Sequence, residues 1–591
     1  MNNTQTSSDT SDNLTQHAML FIWGLYARQI GLVQALEKVK LRQKTRTHSP
    51  QKKVLEFLVA IMAGLPHLKD ISRSAHPLDQ DLMVAEAWGQ ASWADYSGVS
   101  RTLQQLNAEE VTTLIAALES IDQPFIDQEI ERSLETMDML IYDGDLTGRP
   151  VSDTSTSYPD AAFGHMGDTV SLGYQSALVS MHSPTFGRIW LSNQLHPGDT
   201  VSMSEAQALV LAAERRTGRL PKRRTALLAS RLAEREANLE TIHLKLDQSF
   251  DIHREVEWSV KDTTILLREW THEVKGLTAD YERQNRQPTP YCKLSQAKRK
   301  IATYSKRLPR CQKALEVAAR RVARHEAQYI EEKTAVEALR AHYQRLLDDN
   351  AANSDPVRAI FRLDGGFASR ENIYWLIEMG YDIYTRGRST IVRNTLSNAL
   401  GPETEWVRVG GNAELTAWAD TTVNDYFAYP MDVALAHYHT GDSIRRATLL
   451  HYGETEVVAD LDAWFHMYNG RQTIEAGIKE GKNVFQMHHL KVRSSQALRL
   501  QEHMACFTAN FVRFAADWLV SLPQPKMIPT ESIKEMVQAG AHTSAWVRRQ
   551  GDVWLLRFTE QSCYTGYFLR FGKGVAQLPL PLFGSIHFSH F

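Results

Sequence analysis

Two runs of apolar residues with helical spacing constrain the middle of this 591-residue chain to a long helical fold. The first run consists of Leu228, Leu232, Leu239, Ile242 and Leu246, and the second of Ile301, Tyr304, Leu308, Cys311, Leu315, Ala318 and Val322. Steps of three, four and seven residues return a side chain to one face of a helix, so each run can bury one stripe. Pro309 predicts a kink or a new helix start in the second run. We therefore predict a helical, partly coiled-coil hairpin over residues 205–350.

The second of these runs, around residues 301–322, is rich in Lys and Arg. Between residues 298 and 325 a single acid, Glu316, accompanies ten bases: Lys298, Arg299, Lys300, Lys306, Arg307, Arg310, Lys313, Arg320, Arg321 and Arg324. The formal charge of the whole chain is −3, which argues against a uniformly basic DNA-coating protein and leaves local patches for phosphate contact. The basic arm therefore predicts contact with DNA or with a partner protomer, or else a solvated helix face.

Strand-like apolar runs that end in acids lie on either side of the hairpin. Within residues 139–147 an apolar run is followed by Asp143 and Asp145, whose side chains would point the same way in a strand. Residues 359–367 place Asp364 before Gly365 and Gly366, which would let the backbone turn sharply. Acids at strand ends more often begin turns than bind metal, so neither run alone indicates a site.

A third pattern, Y-x2-R-x3-E-x6-K, is formed by Tyr468, Arg471, Glu475 and Lys482. Offsets of three, seven and fourteen residues keep these side chains near one face of a single helix. A carboxylate can hold a divalent cation while the neighbouring bases neutralise phosphates, which suits the cutting of a DNA backbone. The alternative is a solvated helix face with an incidental ion pair between Arg471 and Glu475.

With Asp145, Asp364 and Glu475 in this order, the chain resembles a DDE transposase of bacterial insertion sequences, in the cut-and-paste clade with the Y-x2-R-x3-E-x6-K signature. Residues 145–147, 362–367 and 468–485 resemble the first, second and third motifs of that family. The resemblance implies an α/β fold with a ribonuclease-H-like catalytic core. An N-terminal all-helical domain, a long helical (coiled-coil-like) insertion and a smaller β-rich insertion would accompany the core.

The resemblance also implies roles for single residues. Asp145, Asp364 and Glu475 would be catalytic and hold two Mg²⁺ ions, for which Mn²⁺ can substitute, with Asp143 as a reserve for the first position. The candidate DNA contacts are Tyr468, Arg471, Lys482, Lys298, Arg299 and Lys300. In the β-rich insertion one aromatic side chain would stack on a flipped base, and Trp406 and Trp418 are the candidates, although both also suit a core position.

The function implied is cut-and-paste transposition by nicking, hairpin formation, hairpin opening and strand transfer. The expected partners are double-stranded DNA, as terminal inverted repeats and as target, and a second copy of the chain in a paired-end complex. Two alternatives stay open. One is a stand-alone Mg²⁺-dependent nuclease of the same fold, and the other is a domesticated DNA-binding protein that no longer cuts.

The remaining features bear on domain layout and location. Cys292, Cys311, Cys506 and Cys563 show no C-x-x-C spacing and predict reduced thiols in a cytoplasmic protein, here at the bacterial nucleoid. The apolar run of residues 19–27 is too short to span a bilayer, so no membrane role is expected. The predicted boundaries are 1–13, disordered tail; 14–136, helical DNA-binding domain; 137–204, 351–395 and 461–520, catalytic core; 205–350, helical insertion; 396–460, β-rich insertion; and 521–591, C-terminal domain.

Overall fold

The computed structural model describes residues 13–44, 47–154, 158, 160–441, 443–489, 492–520, 533–558, 576–580 and 584–590. The chain divides into two compact units. One unit consists of Met1–Lys222 together with Asp355–Phe591, and the other is the intervening segment Arg223–Ser354. No helix of the described residues is long and apolar enough to cross a membrane.

The unit Arg223–Ser354 is a hairpin of two long helices, α9 (Thr225–Arg283) and α10 (Lys293–Ala352). Its seam mixes apolar side chains with polar ones, since the Ser249 hydroxyl lies 2.6 Å from Nδ1 of His325. Helix α10 continues through Pro309 rather than ending there. The predicted insertion began at residue 205, whereas residues 202–217 form a separate helix, α8 (Ser202–Thr217), in the first unit.

The larger sheet belongs to the first unit. Its strands are β2 (Leu140–Pro150), β3 (Ala162–Met166), β4 (Thr169–Met181), β5 (Ile189–Pro197), β6 (Ala359–Leu363), β7 (Asp382–Gly387), β8 (Val407–Val409), β9 (Ala413–Thr421), β10 (Met431–Thr440) and β11 (Ser443–Tyr452). They follow the order β3-β4-β2-β6-β7-β11-β10-β9-β8, with β5 also paired to β4. Strands β2, β4 and β5 are antiparallel neighbours. Strands β6 and β7 then add in parallel to β2, joined to each other through α11 (Arg370–Glu378).

The β-rich segment continues this same sheet. Strand β11 pairs antiparallel with β7, with Leu450 opposite Thr385, and β10, β9 and β8 follow outward. One face of the extension carries Ala434 and Ala436, which pack with Trp464 of helix α13 (Leu461–Asn469). The predicted insertion is therefore a widening of the central sheet.

Helices cover the sheet and share one core across distant parts of the chain. Helix α15 (Ser495–Val520) packs against β5 and α7 (Ala108–Met137). The rings of Phe125 and Phe514 stack at 4.7 Å, and Tyr26 of α1 (Ala18–Gln29) stacks on Trp518 at 4.8 Å. The other helices are α2 (Leu32–Glu37), α3 (Pro50–Met62), α4 (Asp70–Arg73), α5 (Leu82–Ala87), α6 (Tyr96–Gln104), α12 (Thr390–Asn398), α14 (Gln472–Asn483) and α16 (Ile533–Gln538).

The smaller sheet joins the two ends of the chain. Its order is β1-β12-β13-β15-β14, formed by β1 (Asn13–Thr15), β12 (Ala545–Gln550), β13 (Val553–Phe558), β14 (Ala576–Leu580) and β15 (Gly584–His590). Asn13 pairs with Val547, so this last residue of the predicted disordered tail is part of a strand. Residues 1–12 of that tail lie outside the described residues. Phe21 of α1 contacts Trp554 edge-on at 5.2 Å, which packs the small sheet on the N-terminal helices.

Candidate active site

Two acids lie side by side on neighbouring parallel segments, Asp145 within β2 and Asp364 directly after β6. The β2–β6 ladder ends where Gly144 pairs with Leu363, and the residue that follows each of them along the chain is an aspartate, Asp145 or Asp364. A Cβ on Gly144 would lie 3.0 Å from the Leu363 side chain, so the glycine permits this close strand packing. The amide of Gly366 donates a 2.7 Å hydrogen bond to Oδ1 of Asp364, which fixes that carboxylate in a tight turn. The structure thus brings the first two predicted acids together.

The Y-R-E-K pattern does not lie on one helix, and that prediction is wrong. Tyr468 belongs to α13, Arg471 is the residue before α14, and Glu475 and Lys482 lie on α14. The helix is interrupted at Gly470 and Arg471, where the guanidinium of Arg362 packs against the backbone and donates a 3.1 Å hydrogen bond to the Met467 carbonyl. A side chain at Gly470 would overlap that guanidinium, so the glycine permits the close approach of Arg362 from β6.

Arg471 lies between the first and third acids. Its Nη2 is 2.6 Å from Oε1 of Glu475, and its Nη1 is 3.7 Å from Oδ2 of Asp145. Burial raises the pKa of Asp145 to about 7; Arg471 opposes this shift, whereas Asp364 and Glu475 add to it. The three predicted acids therefore act on one another electrostatically, with one guanidinium partly neutralising them.

The donor chemistry at this place suits a divalent cation. Carboxylate oxygens are the ligands that Mg²⁺ prefers. A cation would oppose the burial and the smaller repulsion by Asp364 and Glu475 that together raise the Asp145 pKa. Among the described residues, no three His, Cys, Asp or Glu side chains lie close enough together to hold an ion as they stand. Arg471, which contacts two of the three carboxylates, occupies part of the space between them.

Asp143, the reserve candidate, has a different partner. Its two carboxylate oxygens accept hydrogen bonds of 2.7 Å each from Nε and Nη2 of Arg362, and both side chains are at most 5% exposed. The Thr473 hydroxyl also lies 3.4 Å from Oδ2 of Asp143. This buried bidentate pair leaves Asp143 without free oxygens, so we assign it to positioning the start of α14.

Further contacts of α14 were not foreseen from the sequence. Arg188, beside β5, bonds to the Thr473 carbonyl and packs against Gly477, where a Cβ would overlap it. Glu480 accepts a 2.8 Å hydrogen bond from Arg513 of α15 and lies 3.8 Å from Arg188. The only sequence signal for this anchoring was a glycine in a helix interior, a position that usually has a packing reason.

Lys482 lies at the far end of α14, half-buried. Burial lowers its pKa, as does nearby Arg149, while Glu502 and Asp145 oppose the shift. Arg149 and Glu502 themselves form a buried ion pair at 3.0 Å. Lys482 is therefore within electrostatic reach of Asp145, on the same side of the sheet as the acids.

A basic cleft of about 340 Å³ adjoins Glu475. Its walls include Arg386 from the end of β7, Arg445 from β11 and Arg471, together with Tyr438 and Tyr468. Burial raises the pKa values of both tyrosines, and Arg386 acts on both in the opposite direction. Arg386 and Arg445 belong to no motif, so their approach to Glu475 follows only from the pairing of β11 with β7.

The two tryptophans proposed for base stacking lie away from this cleft. Trp406 stacks on His437, with ring centroids 4.1 Å apart, and Trp418 pairs across strands with Val433. His437 and Val433 alternate along β10 with the alanines that face α13, so they point to the opposite face of the sheet. The structure thus does not bring Trp406 or Trp418 together with the acids.

The remaining predicted contacts, Lys298, Arg299 and Lys300, are exposed residues of α10 in the other compact unit.

A comparison with known protein families finds a match for the segment that contains Asp364 and Glu475. Residues 332–511 match the family model of the transposase DDE domain, and this range includes Asp364, Glu475 and the Y-R-E-K residues. The predicted family is thereby confirmed on this segment, while membership of the clade stays a prediction. A search of curated proteins finds no match.

Proposed function

We propose that the chain is a DNA transposase that cuts and joins strands by metal-dependent phosphoryl transfer in a ribonuclease-H-like core. The observation that carries the proposal is the approach of Asp145, Asp364 and Glu475 around Arg471, from three distant parts of the sequence. The order of strands β5-β4-β2-β6-β7, antiparallel and then parallel, supports the core assignment.

In this proposal Asp145, Asp364 and Glu475 hold two Mg²⁺ ions, with Mn²⁺ able to substitute. When bound, the ions supply an activated water or 3′-hydroxyl and stabilise the leaving oxygen. The Asp145 pKa of about 7 means that this acid carries its proton for much of the time at neutral pH and must lose it to become a ligand. Cleavage should therefore rise with pH through about 7.

The basic cleft would hold the DNA strand beside the acids. Arg386, Arg445 and Arg471 can pair with successive phosphates, since guanidinium groups match phosphate geometry. Tyr438 presents an aromatic ring in the same cleft, and we transfer to it the base-stacking role first considered for the tryptophans. Lys482 would add a positive charge near Asp145.

The reaction sequence proposed is cut-and-paste transposition. A nick, attack of the freed 3′-hydroxyl to form a hairpin, hairpin opening and transfer to target DNA are all phosphoryl transfers that one site can perform in turn. The N-terminal helices of residues 14–136 would bind terminal inverted repeats, and two copies of the chain would pair the ends. The protein would act in the cytoplasm, at the bacterial nucleoid.

Excision from a plasmid that carries the gene with its native flanks tests the proposal. Wild type, Glu475→Gln and the exposed same-helix control Lys479→Gln are each incubated with Mg²⁺ or with chelator. We expect metal-dependent cleavage and joining by wild type and Lys479→Gln, and none by Glu475→Gln. Cleavage without joined products would instead indicate a nuclease. Specific retention of the flanks by all three proteins without any cleavage would indicate a DNA-binding protein.

A further inference from the structure

The basic side chains of α10 form two adjacent columns on the outside of the helical hairpin. The seam toward α9 is marked by the buried residues Leu294, Ala297, Ala318 and His325. Counted from that seam, one outward column repeats every seven residues and consists of Arg299, Lys306, Lys313 and Arg320. The column beside it contains Lys293, Lys300, Arg307 and Arg321, of which Arg307 also donates a 3.4 Å hydrogen bond to the Ser259 hydroxyl of α9. All eight side chains are exposed, and together we call them the basic rail.

The rail carries charge that the hairpin does not neutralise. Within the described residues, none of the eight rail side chains forms an ion pair. Bases of α9 are paired along their own helix instead, as in Arg254 with Asp251 at 3.3 Å and Lys261 with Glu257 at 3.4 Å. Like charges repeated along a helix face repel one another, so the rail raises the energy of the free hairpin and favours an anionic partner.

The dimensions of the rail fit duplex DNA. From Arg299 to Arg320 the helix rises about 32 Å at roughly 1.5 Å per residue, close to the ~34 Å of one B-DNA turn. Successive members of the outer column are about 10.5 Å apart along the helix, roughly the rise of three base pairs. Flexible ammonium and guanidinium groups on such a line reach phosphates on one side of a duplex.

We propose that the basic rail binds the phosphate backbone of duplex DNA over about one turn, without regard to base sequence. Contacts from Lys and Arg to phosphates position a protein on DNA and carry no sequence information. The choice of DNA as the anion rests on the proposed function, but the rail is a second DNA surface, separate in sequence from the acids and their cleft.

The test compares two full-length variants that each remove four positive charges from the hairpin. The rail variant is Arg299/Lys306/Lys313/Arg320→Gln, and the control is Lys245/Arg254/Arg268/Lys275→Gln on exposed positions of α9. Fluorescence anisotropy gives the Kd for a 30-base-pair duplex unrelated to the native flanks, across a series of salt concentrations. Circular dichroism checks that both variants keep their helix content.

We expect the rail variant to bind at least tenfold more weakly at about 0.1 M salt. The magnitude of its salt slope should fall by up to about 3.6, because each of the four lost phosphate contacts contributes roughly 0.9. The control should change the slope by less than about 1. An unchanged slope in the rail variant, or equal changes in both variants, would overturn the proposal. Loss of self-association with unchanged DNA binding would also overturn it and assign the surface to a second copy of the chain.

The test of the basic rail and the test of the proposed transposase function can fail independently of each other. Glu475→Gln should keep the wild-type salt slope while losing cleavage. If wild type fails to cut its flanks but the rail variant alone loses affinity, the rail stands and the transposase assignment fails. If wild type cuts and joins while the rail variant binds normally, the transposase assignment stands and the rail fails.

Discussion

Asp143 and Asp145 are two residues apart on the same strand, and the structure predicts opposite results for the same substitution at each. Asp143→Asn removes the partner of a buried guanidinium, whereas Asp145→Asn removes a charge that the fold disfavours. The first variant should lose stability, and the second should lose cleavage alone. Together they separate the positioning acid from the acid proposed to react.

The magnitudes follow from burial. Arg362 is 5% exposed and would keep an uncompensated charge in Asp143→Asn, which costs about 3–5 kcal/mol. Folding raises the pKa of Asp145 from 3.8 to about 7. The protonated side chain therefore contributes its full stability below pH 3.8, and this contribution is lost as the pH rises through about 7. At pH 8 the ionisation of Asp145 lowers the free energy of unfolding by up to about 4 kcal/mol, at ~1.4 kcal/mol per pKa unit. Asp145→Asn has no charge to form and so does not lose this stability.

Urea denaturation at pH 8 without metal measures stability, and cleavage of the native flanks with Mg²⁺ measures activity. Asp138→Asn serves as a control because Asp138 is exposed and has φ of 56°, a conformation that Asn adopts readily. We expect Asp143→Asn alone to unfold at lower urea, and Asp145→Asn to be folded, at least as stable as wild type, and inactive. A stable, inactive Asp143→Asn together with an active Asp145→Asn would refute the assignment.

Three further predictions concern groups around the site and in the N-terminal helices. Arg471→Gln removes the cation that opposes burial at the first acid, so the pH midpoint of residual cleavage should move above about 7, while Lys479→Gln should leave it in place. Burial raises the Glu56 pKa from 4.5 to about 9, so this group destabilises the fold increasingly between those values. Glu56→Gln should therefore add roughly 3 kcal/mol at pH 7 and nothing at pH 4.5 in urea denaturation. Tyr438→Ala should slow hairpin formation on a pre-nicked end at least tenfold, and Trp406→Ala should not, as followed on denaturing gels.

Much of the fold and part of the site were predictable because they are built from local patterns. Apolar runs ending at Asp145 and Asp364 form strands β2 and β6, and the spacing of Leu228 and its successors forms helix α9. Each of these predictions needs only the side-chain period of a strand or a helix, together with the residues that end the run.

What the sequence could not reveal depends on contacts between distant residues. Between α13 and α14, Gly470 is packed against Arg362, a residue more than a hundred positions earlier. Arg386 and Arg445 meet beside Glu475 only because β11 pairs with β7. The strand at Asn13 forms because β12, at the other end of the chain, offers it an open edge. No local period encodes such pairings.

The two guanidinium groups at the start of α14 differ in a way that bears on function. Arg362 and Asp143 are almost fully buried and joined by two hydrogen bonds, so their pair is a permanent part of the fold. Arg471 touches Asp145 and Glu475, but the Glu475 side chain is 44% exposed and faces the cleft. Because this pair is only partly buried, exchanging its carboxylate for a phosphate costs less than breaking the Arg362–Asp143 pair. In the proposed function, α14 stays fixed by the Arg362–Asp143 pair, while Arg471 releases its carboxylates to cations and binds the DNA backbone.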